Sequence, residues 1–104
     1  MSGRVYVATG TSGDQTFLLP RAYPQGQEFT FVSNGGGSQI LITPRATDNI
    51  IAKASEGGAS VAPAAGTGIK NTTGTTIKDD RIRLVSDGGI AWYTLEQSGT
   101  WASQ

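Results

Sequence analysis

The fold of this chain is decided by residues 82–95, which read IRLVSDGGIAWYTL. Two runs rich in branched and aromatic side chains flank Asp87-Gly88, and a tight turn at that place needs the positive φ that glycine adopts at little cost. The pattern predicts a β-hairpin with Ile82 and Leu84 on one face of its first arm. A lone two-stranded hairpin is only marginally stable in water, so the remaining strands must cover Trp92.

Length and composition predict one domain that is rich in strands. The 104 residues suffice for a single domain, which we place at 1–104, and a domain of this size removes only roughly two-thirds of its unfolded surface from water. Charged residues make up 15%, below the roughly 25% that is usual, and there are 15 glycines. Glycine, threonine and valine disfavour helices, and the sequence has no helical periodicity.

Alternating apolar and polar residues recur in short segments before the hairpin. We predict strands at Arg4–Ala8, Thr16–Leu19, Glu28–Val32, Gln39–Thr43 and Ile50–Ala52. A glycine-rich link between the third and fourth of these indicates a second hairpin with a longer turn. The expected architecture is therefore all-β: a small antiparallel sandwich or barrel built from hairpins, with residues 1–14 as a possible N-terminal arm.

Residues 54–74 differ in composition from the rest of the chain. Glycine, alanine, serine and threonine dominate, and only Val61 and Ile69 offer bulk for a core. A stretch of this length with so few apolar residues does not usually persist inside a compact monomer without a function or a neighbour. We expect either a long surface loop or an arm that becomes ordered against another subunit.

Charge and composition exclude several classes of function. Eight basic and eight acidic residues cancel, which disfavours binding to nucleic acid or to an anionic membrane. No apolar run is long enough to span a bilayer, and the N-terminus lacks a signal-peptide pattern, so we expect the mature protein to start near Met1. Cysteine and histidine are both absent, which removes their nucleophilic dyads and makes structural zinc improbable. No cofactor is expected.

The remaining candidates for chemistry are carboxylates and a glycine run. Asp79 and Asp80 are adjacent, so on an extended backbone they project to opposite faces and fit a solvated turn better than an acid/base pair. The spacing of Asp48, Asp87 and Glu96 gives no sign that they converge, and no calcium-loop pattern exists. The glycines at 35–37 lie between two predicted strands, so they indicate a turn and not a phosphate cradle. We expect no enzymatic activity.

Aromatic residues are the candidates for contact with a partner. Trp92 is assigned to the core because of its place in the hairpin, and Tyr93 lies on the opposite face. Trp101, near the end of the chain, is expected to be exposed or to face a partner. Together with Tyr6 and Tyr23, Tyr93 and Trp101 are predicted to make subunit or partner contacts, and subunit packing is favoured over a sugar-binding platform.

A series of short motifs runs from Thr16 to Leu95. In chain order they are Leu18-Leu19-Pro20, Gly26, Phe29–Val32, Ser33-Asn34-Gly35, Ile40–Pro44, Asp48-Asn49-Ile50, Leu84–Gly88 and Trp92-Tyr93. They read as a strand ending in Leu-Pro, a glycine loop, an alternating strand, a turn rich in glycine and asparagine, a strand ending in Thr-Pro, an Asp and Ile step, and a final hairpin. This order resembles a small β domain of tailed-bacteriophage virion proteins.

This resemblance implies a homotrimer without enzymatic activity, found in fibres, head fibres or capsid decorations. We therefore expect a virion structural protein, made in the host cytoplasm, that binds the capsid exterior and stabilises it. Its partners would be further copies of itself and the major capsid protein or other virion proteins. The alternative is a tail-fibre or tail-tip module that binds host surface glycans, and a glycan-cleaving enzyme is a third class with weaker support.

Overall fold

All regular secondary structure in the described part of the chain is β-strand. The computed structural model describes residues 4–8, 15–33, 40–53, 60–71 and 80–104. The strands are β1 (Arg4–Ala8), β2 (Gln15–Leu18), β3 (Glu28–Ser33), β4 (Ile40–Thr43), β5 (Asn49–Lys53), β6 (Ser60–Val61), β7 (Ile69–Asn71), β8 (Arg81–Ser86), β9 (Ala91–Ser98) and β10 (Trp101–Ser103). The predicted all-β class is thus confirmed.

The strands form two sheets that share one core. The six-stranded sheet has the order β1-β3-β8-β9-β5-β6, and the four-stranded sheet has the order β10-β7-β4-β2. Alternate side chains of each sheet point toward the other, which is the arrangement of a sandwich. The buried cluster takes Phe29, Phe31, Ile50, Ile82, Leu84 and Trp92 from the larger sheet and Ile40, Ile42, Ile69 and Trp101 from the smaller one.

The hairpin of residues 82–95 forms as predicted. Strands β8 and β9 pair antiparallel, and Gly88 has a φ of +85° in the connecting turn. The side chain of Asp87 stabilises this turn, because its Oδ1 accepts hydrogen bonds from the backbone N–H groups of Gly89 (2.7 Å) and Ala91 (3.2 Å). Further along the ladder Leu84 faces Thr94 but Arg83 faces Glu96, so β9 contains a bulge. The bulge leaves Leu95 without a residue opposite it.

The expectation of purely antiparallel sheets is wrong. Strand β1 pairs with β3, β2 with β4, and β5 with β9, all in parallel. The predicted second hairpin is also wrong, since β3 lies in the six-stranded sheet and β4 in the other. Ser33 therefore ends a strand of the larger sheet, and Ile40 begins a strand of the smaller one. Sequence alternation identifies a strand correctly but does not tell which strand it pairs with.

Trp101 is a core residue and not an exposed one. It is only 1% exposed, and its Nε1 donates a hydrogen bond of 2.9 Å to the backbone oxygen of Ser98. Strand β10 pairs antiparallel with β7, which turns the indole toward the core of the sandwich. The expectation that Trp101 faces a partner is thus corrected: its apolar surface is already buried within its own chain.

The described part of residues 54–74 belongs to the chain's own sheets. Its strands β6 and β7 lie within 60–71, and Ile69 and Asn71 are fully buried. Residues 60–71 are therefore neither a long loop nor an intersubunit arm. The rest of the segment is outside the described residues. Within the possible N-terminal arm, residues 4–8 form β1. The other residues of this arm, 1–3 and 9–14, lie outside the described residues.

Candidate functional site: apolar interaction surfaces

The described aspartates serve the fold. Asp48 is buried, and its Oδ2 accepts a hydrogen bond of 2.9 Å from the backbone N–H of Ala22. Asp80 is also buried, at 6% exposure, so the predicted solvated turn is wrong for this residue, and Asp79 is outside the described residues. The side chain of Asp87 is engaged in the hairpin turn. Among the described residues, no group of three or more acidic, histidine or cysteine side chains could hold a metal ion.

The loop at 21–27 is fixed to the tip of the β8–β9 hairpin. The Ser86 hydroxyl donates a hydrogen bond of 2.7 Å to the Pro24 carbonyl and accepts one of 3.0 Å from the backbone N–H of Gln27. Backbone hydrogen bonds from Gly26 to Ser86 and from Gly88 to Ala22 add to this bracing. The loop holds Tyr23 at 65% exposure. Tyr23 is therefore an exposed aromatic residue on a loop that is ordered by its own chain.

Replacing Ser86 by alanine is expected to loosen this loop. The Gln27 N–H would lose its partner and the Pro24 carbonyl would keep only the 3.1 Å hydrogen bond from Gln27 Nε2, at a site where Ser86 itself is 2% exposed. We expect the free energy of unfolding to fall by about 2 kcal/mol, since unpaired polar groups at such sites retain their desolvation cost. Urea denaturation measures this loss, and Ser86→Thr, which keeps the hydroxyl, is the matched variant. An unchanged midpoint for Ser86→Ala would contradict the bracing role.

The outer face of the six-stranded sheet carries an apolar strip. Tyr93 lies beside Val85 on β8 and Ile51 on β5, and Leu95 follows in the bulge. Val85 and Ile51 are half-buried, whereas Tyr93 and Leu95 are 46% and 52% exposed. We call these four residues the outer strip. Side chains on this face alternate with those of the core, and the strip exists because Val85 of β8 and Tyr93 of β9 are apolar at outward positions, whereas Arg83 further along β8 is charged.

A cleft opens between the two sheets at the edges formed by β1 and β2. Its walls are aromatic: the Tyr6 ring lies 5.5 Å from that of Phe17 and 5.5 Å from that of Phe31, and Phe17 lies 5.1 Å from Phe31. The cavity volume is about 390 Å³. The residues that line this edge cleft are Arg4, Tyr6, Thr16, Phe17, Leu18, Leu19, Pro20, Phe29 and Phe31. Cavities of this size, mostly apolar with a few polar groups, are typical of binding sites.

The four residues predicted as contacts occupy different places. Tyr93 lies on the outer strip, Tyr23 on the braced loop and Tyr6 in the edge cleft, while Trp101 is in the core. The structure therefore does not bring them together into one site. Sequence reasoning missed the cleft, because nothing in the sequence shows that β1 and β2 are edge strands. The available signal was Leu18, an apolar residue on the side of β2 opposite Phe17, which is 77% exposed.

No family model matches this chain, and no curated protein matches it significantly. The described ranges contain no helix that is long and apolar enough to cross a membrane.

Proposed function

We propose that the chain is a structural protein of a bacteriophage virion that binds the capsid exterior as a homotrimer and reinforces it. The observation that carries this proposal is the outer strip, where Tyr93 and Leu95 are 46% and 52% exposed on the open face of the larger sheet. Removing apolar surface from water stabilises an assembly by roughly 25 cal/mol per Å². An assembly that covers the strip uses this free energy, which a monomer leaves unused.

The charges of the chain favour association between identical copies. The formal net charge is zero, so copies meet without long-range repulsion. Close to the strip, Arg83 and Glu28 pair at 2.8 Å and neutralise each other. Tyrosine and other large apolar side chains are also the residues that most often anchor interfaces. These features support a subunit contact at the outer strip.

The motif order supports the virion setting. The hairpin with Ser86-Asp87-Gly88 and Trp92-Tyr93 resembles the last element of the phage domain, whose members are commonly trimers. The resemblance carries no catalytic signature. A capsid decoration or head-fibre protein is the form of this function that we propose.

Changing Tyr93 to glutamate is expected to dissociate the trimer. The carboxylate would have to be buried without a partner in the interface, which costs more than the lost apolar contact. Sedimentation equilibrium at low micromolar concentration should give a trimer for the wild type and a monomer for the variant, with the β-rich far-UV circular dichroism retained. Arg45→Glu, which adds the same carboxylate on an exposed loop between β4 and β5, is the control.

Binding to particles tests the capsid assignment separately. The purified chain should co-sediment with capsids that lack it and should raise their resistance to heat. A stable folded monomer with no affinity for capsids would overturn the proposal.

A second candidate is a tail module that binds host glycans, and it is favoured by Tyr23 at 65% exposure on the braced loop. An aromatic ring on an ordered loop can stack on a sugar without a large entropic cost. Binding to a glycan array that is lost in Tyr23→Ala, with the oligomer intact, would favour this candidate over the capsid assignment.

A further inference from the structure

The edge cleft is flanked by two unpaired strand edges. Strand β1 is the last strand on one side of the six-stranded sheet, and β2 is the last strand of the four-stranded sheet. Within the described part of the chain, the outer edge of each strand has no neighbouring strand. Such edges present free backbone N–H and C=O groups that readily accept another strand. Strand β1 has no proline, and Arg4 at its start is its one charged residue.

The cleft between these edges suits an apolar side chain. Tyr6, Phe17 and Phe31 form its aromatic wall, and their ring centroids are 5.1–5.5 Å apart. Leu18 stands at its rim and is 77% exposed. A strand that pairs with a sheet edge points alternate side chains toward the core, so one of them would enter the space between the two sheets.

The charge of the cleft favours a ligand with a negatively charged group. Arg4 is the charged residue of the lining, and no acidic residue lines the cleft. Arg4 faces Phe29 across the β1–β3 ladder, on the same side of the strand as Tyr6. In the described ranges no ion pair of Arg4 is found, so its guanidinium is available to a carboxylate, which it can bind with two parallel hydrogen bonds.

We propose that the edge cleft binds an extended segment of a partner protein, which adds a strand to β1, packs an apolar side chain against Tyr6 and Phe17, and pairs an aspartate or glutamate with Arg4. A second copy of β1 fits less well, because residues 4–8 contain no acid to meet Arg4. A lone small molecule would leave the backbone edges unpaired. The inference does not depend on the virion assignment, since it follows from the edges and the charge alone.

Selection from a displayed library of random nine-residue peptides tests the proposal. Against the wild type we expect enriched peptides that alternate apolar and polar residues and carry an acid at one fixed position. Against Arg4→Glu the enriched peptides should keep the alternation and carry a basic residue at that position. Lys53→Glu, which makes the same charge change on β5 at the far side of the sheet, should select the same peptides as the wild type.

The affinity of one enriched peptide then locates the site. Fluorescence anisotropy should show about tenfold weaker binding to Arg4→Glu and to Thr16→Glu, which places a carboxylate at the exposed rim of the cleft. Both positions are exposed, so the variants should fold. Amide hydrogen exchange at Val5–Val7 should slow when the peptide binds, because strand addition protects the edge.

Three results would overturn the proposal. They are no enrichment of any peptide, enriched peptides whose binding is unaffected by Arg4→Glu, and binding without protection of β1. Enrichment of peptides that contain the sequence of residues 4–8 would instead identify a second copy as the occupant and would also contradict the proposed acidic partner.

Discussion

Replacing Trp92 by alanine is expected to lower the free energy of unfolding by about 4 kcal/mol, the cost typical of removing a large buried aromatic side chain. Trp92 is fully buried in β9, and its ring lies 5.7 Å from that of Phe29. Its backbone neighbours are Ser86 in β8 and Ile50 in β5, so the indole lies at the centre of the larger sheet. Since domains of this size are stable by only about 5–15 kcal/mol, the variant should be close to unfolded.

The neighbouring residue supplies the control. Tyr93→Ala removes an aromatic ring of similar size that is 46% exposed, and it should cost about 1 kcal/mol in the monomer. Guanidinium denaturation followed by circular dichroism compares the two variants, at a protein concentration low enough that association does not contribute. Equal losses for Trp92→Ala and Tyr93→Ala would contradict the assignment of the two faces of β9.

Replacing Gly68 by alanine should destabilise the fold by about 3 kcal/mol, as overpacking of a rigid interior does. An added Cβ would lie 2.8 Å from the carbonyl carbon of Ile42, closer still to its oxygen, and 2.6 Å from Nε2 of Gln104. The amide of Gln104 can move aside. The Ile42 carbonyl cannot, because it belongs to β4, which pairs with β7 immediately after Gly68.

Gly26 is the matched control for this prediction. It has a φ of +87°, but nothing lies within 4 Å of an added Cβ. Gly26→Ala therefore tests backbone strain without a clash and should cost about 1 kcal/mol. Thermal unfolding of both variants gives the comparison. If Gly68→Ala unfolds at the wild-type temperature, then the close approach of Gly68 to β4 does not exist in solution.

Local chemistry made the hairpin predictable. The glycine at 88, the alternation on both sides and the aromatic pair at 92–93 all act over a few residues, and the turn, both strands and the burial of Trp92 agree with them. The exposure of Tyr93 follows from the same alternation. Of the candidate surfaces, the outer strip could thus be recognised from the sequence.

Distant pairings could not be predicted in this way. Whether β3 joins β4 or β1 depends on contacts between residues far apart in the chain, and the apolar pattern of β3 fits either partner. Trp101 was misplaced for the same reason, since its burial depends on β10 lying beside β7. Gly68 stands in a run of small residues, and nothing in that run sets it apart. It differs from its neighbours only because the backbone of Ile42 in β4 passes close to it. The edge cleft likewise needs the sheet order.

The strand order also has a consequence for biosynthesis. Strands β8 and β9 occupy the middle of the larger sheet although they are near the end of the chain, and β10, at the very end, completes the smaller sheet. When β1 to β5 have left the ribosome, only the β1–β3 and β2–β4 pairs can form, and neither sheet can close until β8, β9 and β10 have been made. Topologies dominated by such distant pairings fold slowly, in milliseconds to seconds. The nascent chain thus passes through a period in which its apolar strands are exposed to chaperones and to other copies.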